Sequence, residues 1–187
     1  MTLAVQEKNK YEKVWTYGVY RENAPGEHLV NDAYDRLEMQ PGQYLFDFGC
    51  GTGRAAQKFE EEGLEVIAID HAANCLDRDK HGFTFLQYCL WDLPEDLCGE
   101  WGFCTDVMEH IPTEKVSKVL QNIKEICTKG VYFQIALRPD NMGPRILGEP
   151  LHLTVKDAGW WTEELFKHWR YVELDTNDGN LIAICRC

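Results

Sequence analysis

Basic residues are scarce in this chain. Nineteen lysines and arginines stand against 31 aspartates and glutamates, a formal net charge of −12 over 187 residues. A surface of that sign repels phosphate backbones, so nucleic acid is not the expected partner. Arg138, Arg145 and Lys156 fall in one stretch from which a basic groove can be built, which keeps a nucleic-acid substrate open as an alternative. Cysteine pairs of the C-x-x-C kind are missing. The eight cysteines, Cys50, Cys75, Cys89, Cys98, Cys104, Cys127, Cys185 and Cys187, read as buried free thiols of a reducing compartment, and no metal is expected. The first 13 residues lack an apolar run that could serve as a signal peptide or membrane span, which leads to the expectation of a cytoplasmic protein with no membrane partner. Repeats, low-complexity tracts and linkers are absent too. The length is that of a single domain and leaves little room for a separate target-recognition domain.

What is present is concentrated in Tyr44-Leu45-Phe46-Asp47-Phe48-Gly49-Cys50-Gly51-Thr52-Gly53-Arg54-Ala55-Ala56. An apolar strand runs into a glycine-crowded turn and then a helix. Gly49, Gly51 and Gly53 let the backbone turn tightly and lie against a ligand, and the helix that follows opens with unpaired N–H groups. Further on, Glu65-Val66-Ile67-Ala68-Ile69-Asp70 reads as a second buried strand ending in a carboxylate, where a Rossmann-like unit holds two ribose hydroxyls. Asp70 can also serve as a helix N-cap. A nucleoside cofactor follows. Gly51-Thr52-Gly53-Arg54-Ala55-Ala56 satisfies the G-x-G-x-x-A form of a dinucleotide fingerprint, so NAD stays open on spacing alone. Asp47 at the end of the first strand disfavours it, because an acid there repels a pyrophosphate and welcomes an ammonium group. Asp47 can instead bind N–H groups of its own loop.

After residue 40, short apolar runs alternate with amphipathic stretches. This predicts an α/β fold with strands over 43–48, 65–70, 83–88, 101–107, 130–137, 170–175 and 180–186. Helices are predicted over 53–63, 71–78, 113–127 and 160–168. Val116, Val119, Leu120, Ile123 and Ile126 recur at helical spacing after Pro112, and Asn177-Asp178-Gly179-Asn180 signals a hairpin that makes the last pair antiparallel. Residues 1–39 are expected as a helical lid before a Rossmann-like core over 40–187, with Tyr11, Trp15, Tyr17, Tyr20 and Arg21 supplying its aromatic and cationic groups and a helix presenting Leu29, Ala33 and Leu37. Residues 138–160 hold too many helix breakers for a regular element and belong at the carboxyl edge of the sheet.

The glycine turn with Asp47, the second-strand Asp70, Phe85-Leu86-Gln87-Tyr88-Cys89-Leu90-Trp91-Asp92-Leu93-Pro94 and Asp106-Val107-Met108-Glu109-His110-Ile111-Pro112 together resemble the class I S-adenosylmethionine-dependent methyltransferases. The resemblance covers residues 40 to 187. It implies a doubly wound, seven-stranded, mostly parallel sheet with an antiparallel last strand. It also implies S-adenosylmethionine as cofactor, held by Asp47, Gly49, Cys50, Gly51, Gly53, Asp70, His71, Cys89, Leu90, Trp91 and Asp106. Where the family carries an acid for the adenine amino group this chain has Cys89, so either the backbone of Cys89 and Leu90 reads that edge or Asp92 or Gln87 substitutes, with Trp91 over the ring. Glu109 and His110 fall where family members approach the sulfonium or the acceptor. His110 is a candidate base, or else packs under the cofactor with Glu109 orienting it. His152 resembles a histidine of small-molecule methyltransferases, set to face the acceptor with Tyr20, Arg21, Arg138, Trp160 and Trp161. The implied activity is methyl transfer to oxygen or nitrogen of a small molecule. A silent S-adenosylmethionine-binding module and a nicotinamide oxidoreductase are the rivals. The Asn-Pro-Pro-Tyr type of motif and the Pro-Cys pair of base-modifying enzymes are absent.

Overall fold

In Leu181-Ile182-Ala183-Ile184-Cys185 the odd positions join one apolar cluster and the even positions another. That is the period of a strand buried on both faces. The computed structural model describes residues 2–22, 25–77 and 82–187. Among them are strands β1 (Tyr44–Phe48), β2 (Glu65–Asp70), β3 (Thr84–Gln87), β4 (Gly99–Thr105), β5 (Cys127–Ala136), β6 (Tyr171–Asn177) and β7 (Asn180–Arg186). They form one sheet in the order β3-β2-β1-β4-β5-β7-β6, with β7 antiparallel to both neighbours and the other pairings parallel. The doubly wound, mostly parallel sheet expected from the sequence is therefore present. Its closing hairpin pairs Asn177 with Asn180, and both intervening residues are left-handed, Asp178 at φ 49° and Gly179 at φ 78°. This geometry matches the twist of the flanking strands.

The helices are α1 (Leu3–Val14), α2 (Gly18–Arg21), α3 (Val30–Leu37), α4 (Arg54–Glu61), α5 (Thr113–Ile126), α6 (Met142–Ile146) and α7 (Ala158–Phe166), with 3-10 turns at Pro25–His28 and Met108–His110. Val14 of α1, Ala33 and Leu37 of α3 and Phe59 of α4 bury into one face of the sheet. Val119, Leu120 and Ile123 of α5 and Trp161 and Leu165 of α7 bury into the other. Each buried Val, Leu, Ile or Phe among them contributes about 1.5–3 kcal/mol of transfer free energy. Because β1 is flanked by β2 on one side and β4 on the other, the winding reverses there, and a crevice opens at the carboxyl ends of β1 and β4.

Two local expectations are corrected. Residues 71–77 are not helical, and residue 78 lies outside the described residues. Their carbonyls serve other partners: Asn74 O and Leu76 O accept from the Arg21 guanidinium. Residues 138–160 contain a helical turn after all, α6, because Asp140 Oδ1 accepts the Gly143 N–H at 2.6 Å. Pro144 sits in its first turn, where a missing N–H costs nothing. The segment expected as a helical lid begins with a 12-residue helix, α1, and its residues 1, 23 and 24 lie outside the described residues. All eight cysteines are free thiols, but Cys98 and Cys187 are exposed and Cys89 half-buried. No helix among the described residues is long and apolar enough to cross a membrane.

Candidate active site

The turn after β1 is held open by its glycines. Gly49 has φ 74°, and a Cβ there would fall 2.3 Å from Val107 Cγ2; Gly51 has φ 51°, and its Cβ would meet the Trp15 indole at 3.0 Å. Only glycine fits both demands. The Gly49 and Cys50 N–H groups donate to Ile69 O at 2.7 and 3.0 Å, which straps the turn to the end of β2. Gly53 caps the start of α4.

Asp70, buried at the end of β2, joins the turn to its surroundings. Its Oδ2 accepts the Gly51 N–H at 3.1 Å and its Oδ1 the Ala72 N–H at 2.9 Å. The His71 N–H also bears on it, and because a carboxylate offers about four lone-pair directions, capacity remains for a ligand hydroxyl. Burial raises the Asp70 pKa, against the lowering effect of His71 and these N–H groups. Asp47 is buried on β1, and its Oδ2 has no hydrogen-bond partner. Burial, then the Asp70 charge, pushes its pKa up to about 7. The Ala56 N–H offsets this in part, and a cation brought beside the unpartnered Oδ2 would favour the charged form further.

Two adjoining cavities line this crevice. The larger, about 360 Å³, is bordered by Asp47, Gly49, Cys50, Gly51, Tyr20, Asp106, His110, Arg138 and His152. The smaller, about 90 Å³, is bordered by Asp70, His71, Tyr88, Leu90, Trp91, Val107, by Glu7 and Tyr11 of α1 and by Trp15 at its end. Asp106 borders both; it is left-handed at φ 54°, and its Oδ2 accepts from Gln134 Nε2 at 2.7 Å.

At the far end of the larger cavity, His110 Nδ1 lies 2.6 Å from the Tyr11 hydroxyl and 3.1 Å from Leu151 O. His152 Nδ1 lies 2.6 Å from Arg138 O. The two imidazoles meet edge to face, 4.7 Å apart. Burial pushes His110 down to about 3, so it is neutral at physiological pH. Glu109 is fully buried beside them, and burial followed by the Asp106 charge pushes it up to about 8. Its Oε1 accepts the Ala136 N–H at 3.2 Å, and its backbone carbonyl accepts the Leu153 and Thr154 N–H groups. Asp140 accepts the Leu151 and His152 N–H groups with Oδ2, so the segment carrying His152 is tied down at both ends.

Some residues named from the sequence lie elsewhere. Arg21 is spent on Trp15 O, Asn74 O, Leu76 O and Asp77, where it clamps α2 to the loop after β2. Trp161 is wholly buried in the core under α7. Trp160 lies edge-on to it with Lys156 over its ring, and neither indole borders the crevice. Cys89 does not border it either; its carbonyl accepts the Asp92 N–H, and that of Leu90 accepts from Asn122 Nδ2 at 2.8 Å. Gln87 is engaged with His71 O. Tyr11, Trp15, Tyr88, Val107 and Asp140 were missed as site residues. The spacing of Tyr11, Val14 and Trp15 at i, i+3 and i+4 is a helical signal that would have found the first two.

A sheet of this order, with a glycine turn after its first strand and an acid closing its second, is the fold of the class I S-adenosylmethionine-dependent methyltransferases. Residues 20–181 match the family described as methyltransferase domain, and the chain belongs to that family. It is similar to a malonyl-acyl-carrier-protein O-methyltransferase of Serratia marcescens, 34% identical over 71 residues, or 36% of this chain and 28% of that protein. A probable S-adenosyl-L-methionine-dependent methyltransferase of Haemophilus influenzae, TehB, is 24% identical over 163 residues, covering 82% of this chain and 55% of the relative. Among solved structures, magnesium protoporphyrin IX methyltransferase from Synechocystis with bound S-adenosylmethionine superposes with a TM-score of 0.68 at 14% identity, over 100% of this chain and 98% of that one. The chain spans between 28% and 55% of the length of the curated relatives it matches. The cofactor of this class is S-adenosylmethionine, and the residues present suit it: free lone pairs on Asp70 for a ribose, a buried Asp47 oxygen without a partner for an ammonium, and a turn with no room for a Cβ.

Asp47 gives this fit a pH signature. Its folded pKa, about 7, lies above its ordinary 3.8, so its contribution to the stability of the free protein is full below the ordinary value and declines as pH rises towards 7. A cofactor ammonium favours the charged form and reverses the trend. Calorimetry from about pH 5 to 7.5 is expected to show S-adenosylhomocysteine affinity rising with pH, by at most about tenfold per unit. Asp47→Asn should flatten the curve, and a rise that persists in that variant assigns the proton to another group.

Proposed function

We propose that this chain transfers the methyl group of S-adenosylmethionine to an oxygen or nitrogen of a small molecule bound in the larger cavity. The observation that carries the reading is a pair of adjoining cavities, sharing Gly49, Asp106 and His110, that gathers the Asp47 and Asp70 carboxylates and the His110 and His152 imidazoles in its walls. In this reading Asp70 holds the ribose hydroxyls, Asp47 the methionine ammonium, and Leu90 and Trp91 cover the adenine. The α1 helix closes the adenosine half, as the contact of Trp15 with the Gly51 turn and the Tyr11–His110 hydrogen bond support. The sulfonium is already a reactive methyl donor. Alignment of acceptor and methyl supplies about 7–11 kcal/mol, against a factor of about 10² to 10⁴ from a positioned base. His152, half-buried on a pinned segment, is better placed for that proton than His110, which burial makes a weak base. A small-molecule acceptor accords with the charge of the chain and with the porphyrin substrate in the name of the Synechocystis neighbour.

S-adenosylhomocysteine at a hundredfold excess over its Kd should stabilise the protein by about 2.7 kcal/mol, read as a rise in Tm, with no comparable shift from NAD. Stabilisation by NAD alone would overturn the reading. A metabolite-extract screen that follows S-adenosylhomocysteine formation then separates an enzyme from a silent binding module.

A further inference from the structure

Glu109, His110 and His152 do more than line a pocket wall. A backbone carbonyl only accepts hydrogen bonds, so Arg138 O, 2.6 Å from His152 Nδ1, requires a proton on that nitrogen and leaves the His152 Nε2 with a bare lone pair. His110 Nδ1 lies between the Tyr11 hydroxyl at 2.6 Å and Leu151 O at 3.1 Å, and the tautomer with its proton on Nδ1 satisfies the carbonyl and bares Nε2 in the same way. Histidines that bind metals are held in this way, the second nitrogen donating to a carbonyl that fixes tautomer and orientation. Glu109 adds a buried carboxylate whose Oε1 is fixed by the Ala136 N–H and whose Oε2 has no partner at all. An orphaned buried carboxylate oxygen is costly, and cofactor binding at Asp47 and Asp70 does nothing to relieve it. One ligand atom from each of the three residues lies within 4.8 Å of the other two. Tetrahedral ligands at about 2.0–2.2 Å from a common ion stand about 3.3–3.6 Å apart, so side-chain movements of about an ångström close the group. A second close group, Cys50, Asp70 and Cys75, is wholly buried, and its carboxylate is already engaged by two N–H groups.

We propose that Glu109, His110 and His152 bind one divalent first-row transition-metal ion at the acceptor end of the crevice. Two imidazoles and one carboxylate favour zinc, manganese, iron or cobalt over calcium and magnesium, and three protein ligands leave positions open for an acceptor. The binding site stands independently of the methyl-transfer reading; its chemical role rests on it. There the acceptor is a hydroxyl compound whose oxygen binds the ion and loses its proton to water. That oxygen then forms the bond to the methyl carbon while the carbon–sulfur bond breaks and sulfur keeps the electron pair, giving the methyl ether or ester and S-adenosylhomocysteine. The ion, rather than His152, then lowers the acceptor's pKa.

Chelator-treated, full-length protein titrated with zinc chloride in a calorimeter should bind one ion per chain. Cobalt chloride on the same protein should give visible absorption of a histidine- and carboxylate-ligated centre. Glu109→Gln and His152→Ala should each weaken zinc by at least tenfold while S-adenosylhomocysteine affinity stays within about twofold, which also reports that the variants are folded. The cobalt spectrum of the unaltered chain tests the site should either variant fail to fold. Absence of zinc and cobalt binding in protein that still binds S-adenosylhomocysteine overturns the ion and leaves the methyl-transfer reading with His152 as base. Zinc binding that survives both substitutions places the ion elsewhere and overturns the site.

Discussion

Asp70→Ala is expected to weaken S-adenosylhomocysteine binding by roughly 10² to 10⁴. Two charge-assisted hydrogen bonds to the ribose, each about 1.5–3 kcal/mol, would be lost. The same substitution also strips the Gly51 and Ala72 N–H groups of their acceptor, so part of the loss comes from a loosened turn. Asp70→Asn separates the two effects: its amide oxygen still accepts an N–H group, while the charge that strengthens the ribose bonds is gone, and an intermediate loss is expected. Gly51→Val is the harsher change, since a branched side chain must enter a left-handed position with Trp15 3.0 Å from its Cβ. Binding should be undetectable in that variant with the circular dichroism of the fold retained. Unchanged affinity in a folded Asp70→Ala protein would remove the ribose from the end of β2.

Much of the frame that places Asp70 was readable because it depends on patterns repeated along the chain. The two-faced alternation of β7, the helical spacing of Val116, Val119, Leu120 and Ile123 and the Asp178-Gly179 turn are each overdetermined by local chemistry. The departures lie where a distant partner decides. Residues 71–77 carry no helix breaker, yet their carbonyls are claimed by Arg21, more than fifty positions away, and Asp70 takes the Ala72 N–H. Trp160 and Trp161 have the look of pocket aromatics in sequence. The Asp157 side chain starts the helix at Ala158 by accepting the Trp160 N–H, and that register turns Trp161 inward with Leu165. The role of α1 was illegible for the same reason: only the folded chain brings Tyr11 within 2.6 Å of a histidine 99 positions downstream. Residues that line the crevice from the glycine turn were visible from spacing, whereas others in its walls, such as Tyr88 and Asp140, were not.

The largest effect on turnover is expected at the two imidazoles. His152 sits on a segment pinned through Asp140 and the Glu109 carbonyl, and it touches neither the glycine turn nor Asp70, so His152→Ala should leave S-adenosylhomocysteine affinity nearly intact. Turnover on an identified acceptor should fall by roughly 10², the loss that removal of one proton-accepting or acceptor-orienting group brings. His110→Ala removes in addition the hydrogen bond to Tyr11 that ties α1 to the crevice. It should therefore slow turnover and also raise the KM for S-adenosylmethionine, because the adenosine half loses its cover. Tyr11→Phe isolates that second effect: KM for the cofactor should rise with kcat little changed. The double His110→Ala, His152→Ala variant should lose about as much as the more damaged single variant if the two rings act as one unit, and the product of the two losses if they act separately. Full activity in the double variant would take both histidines out of the chemistry, leaving alignment and exclusion of water in the crevice as the whole source of the rate.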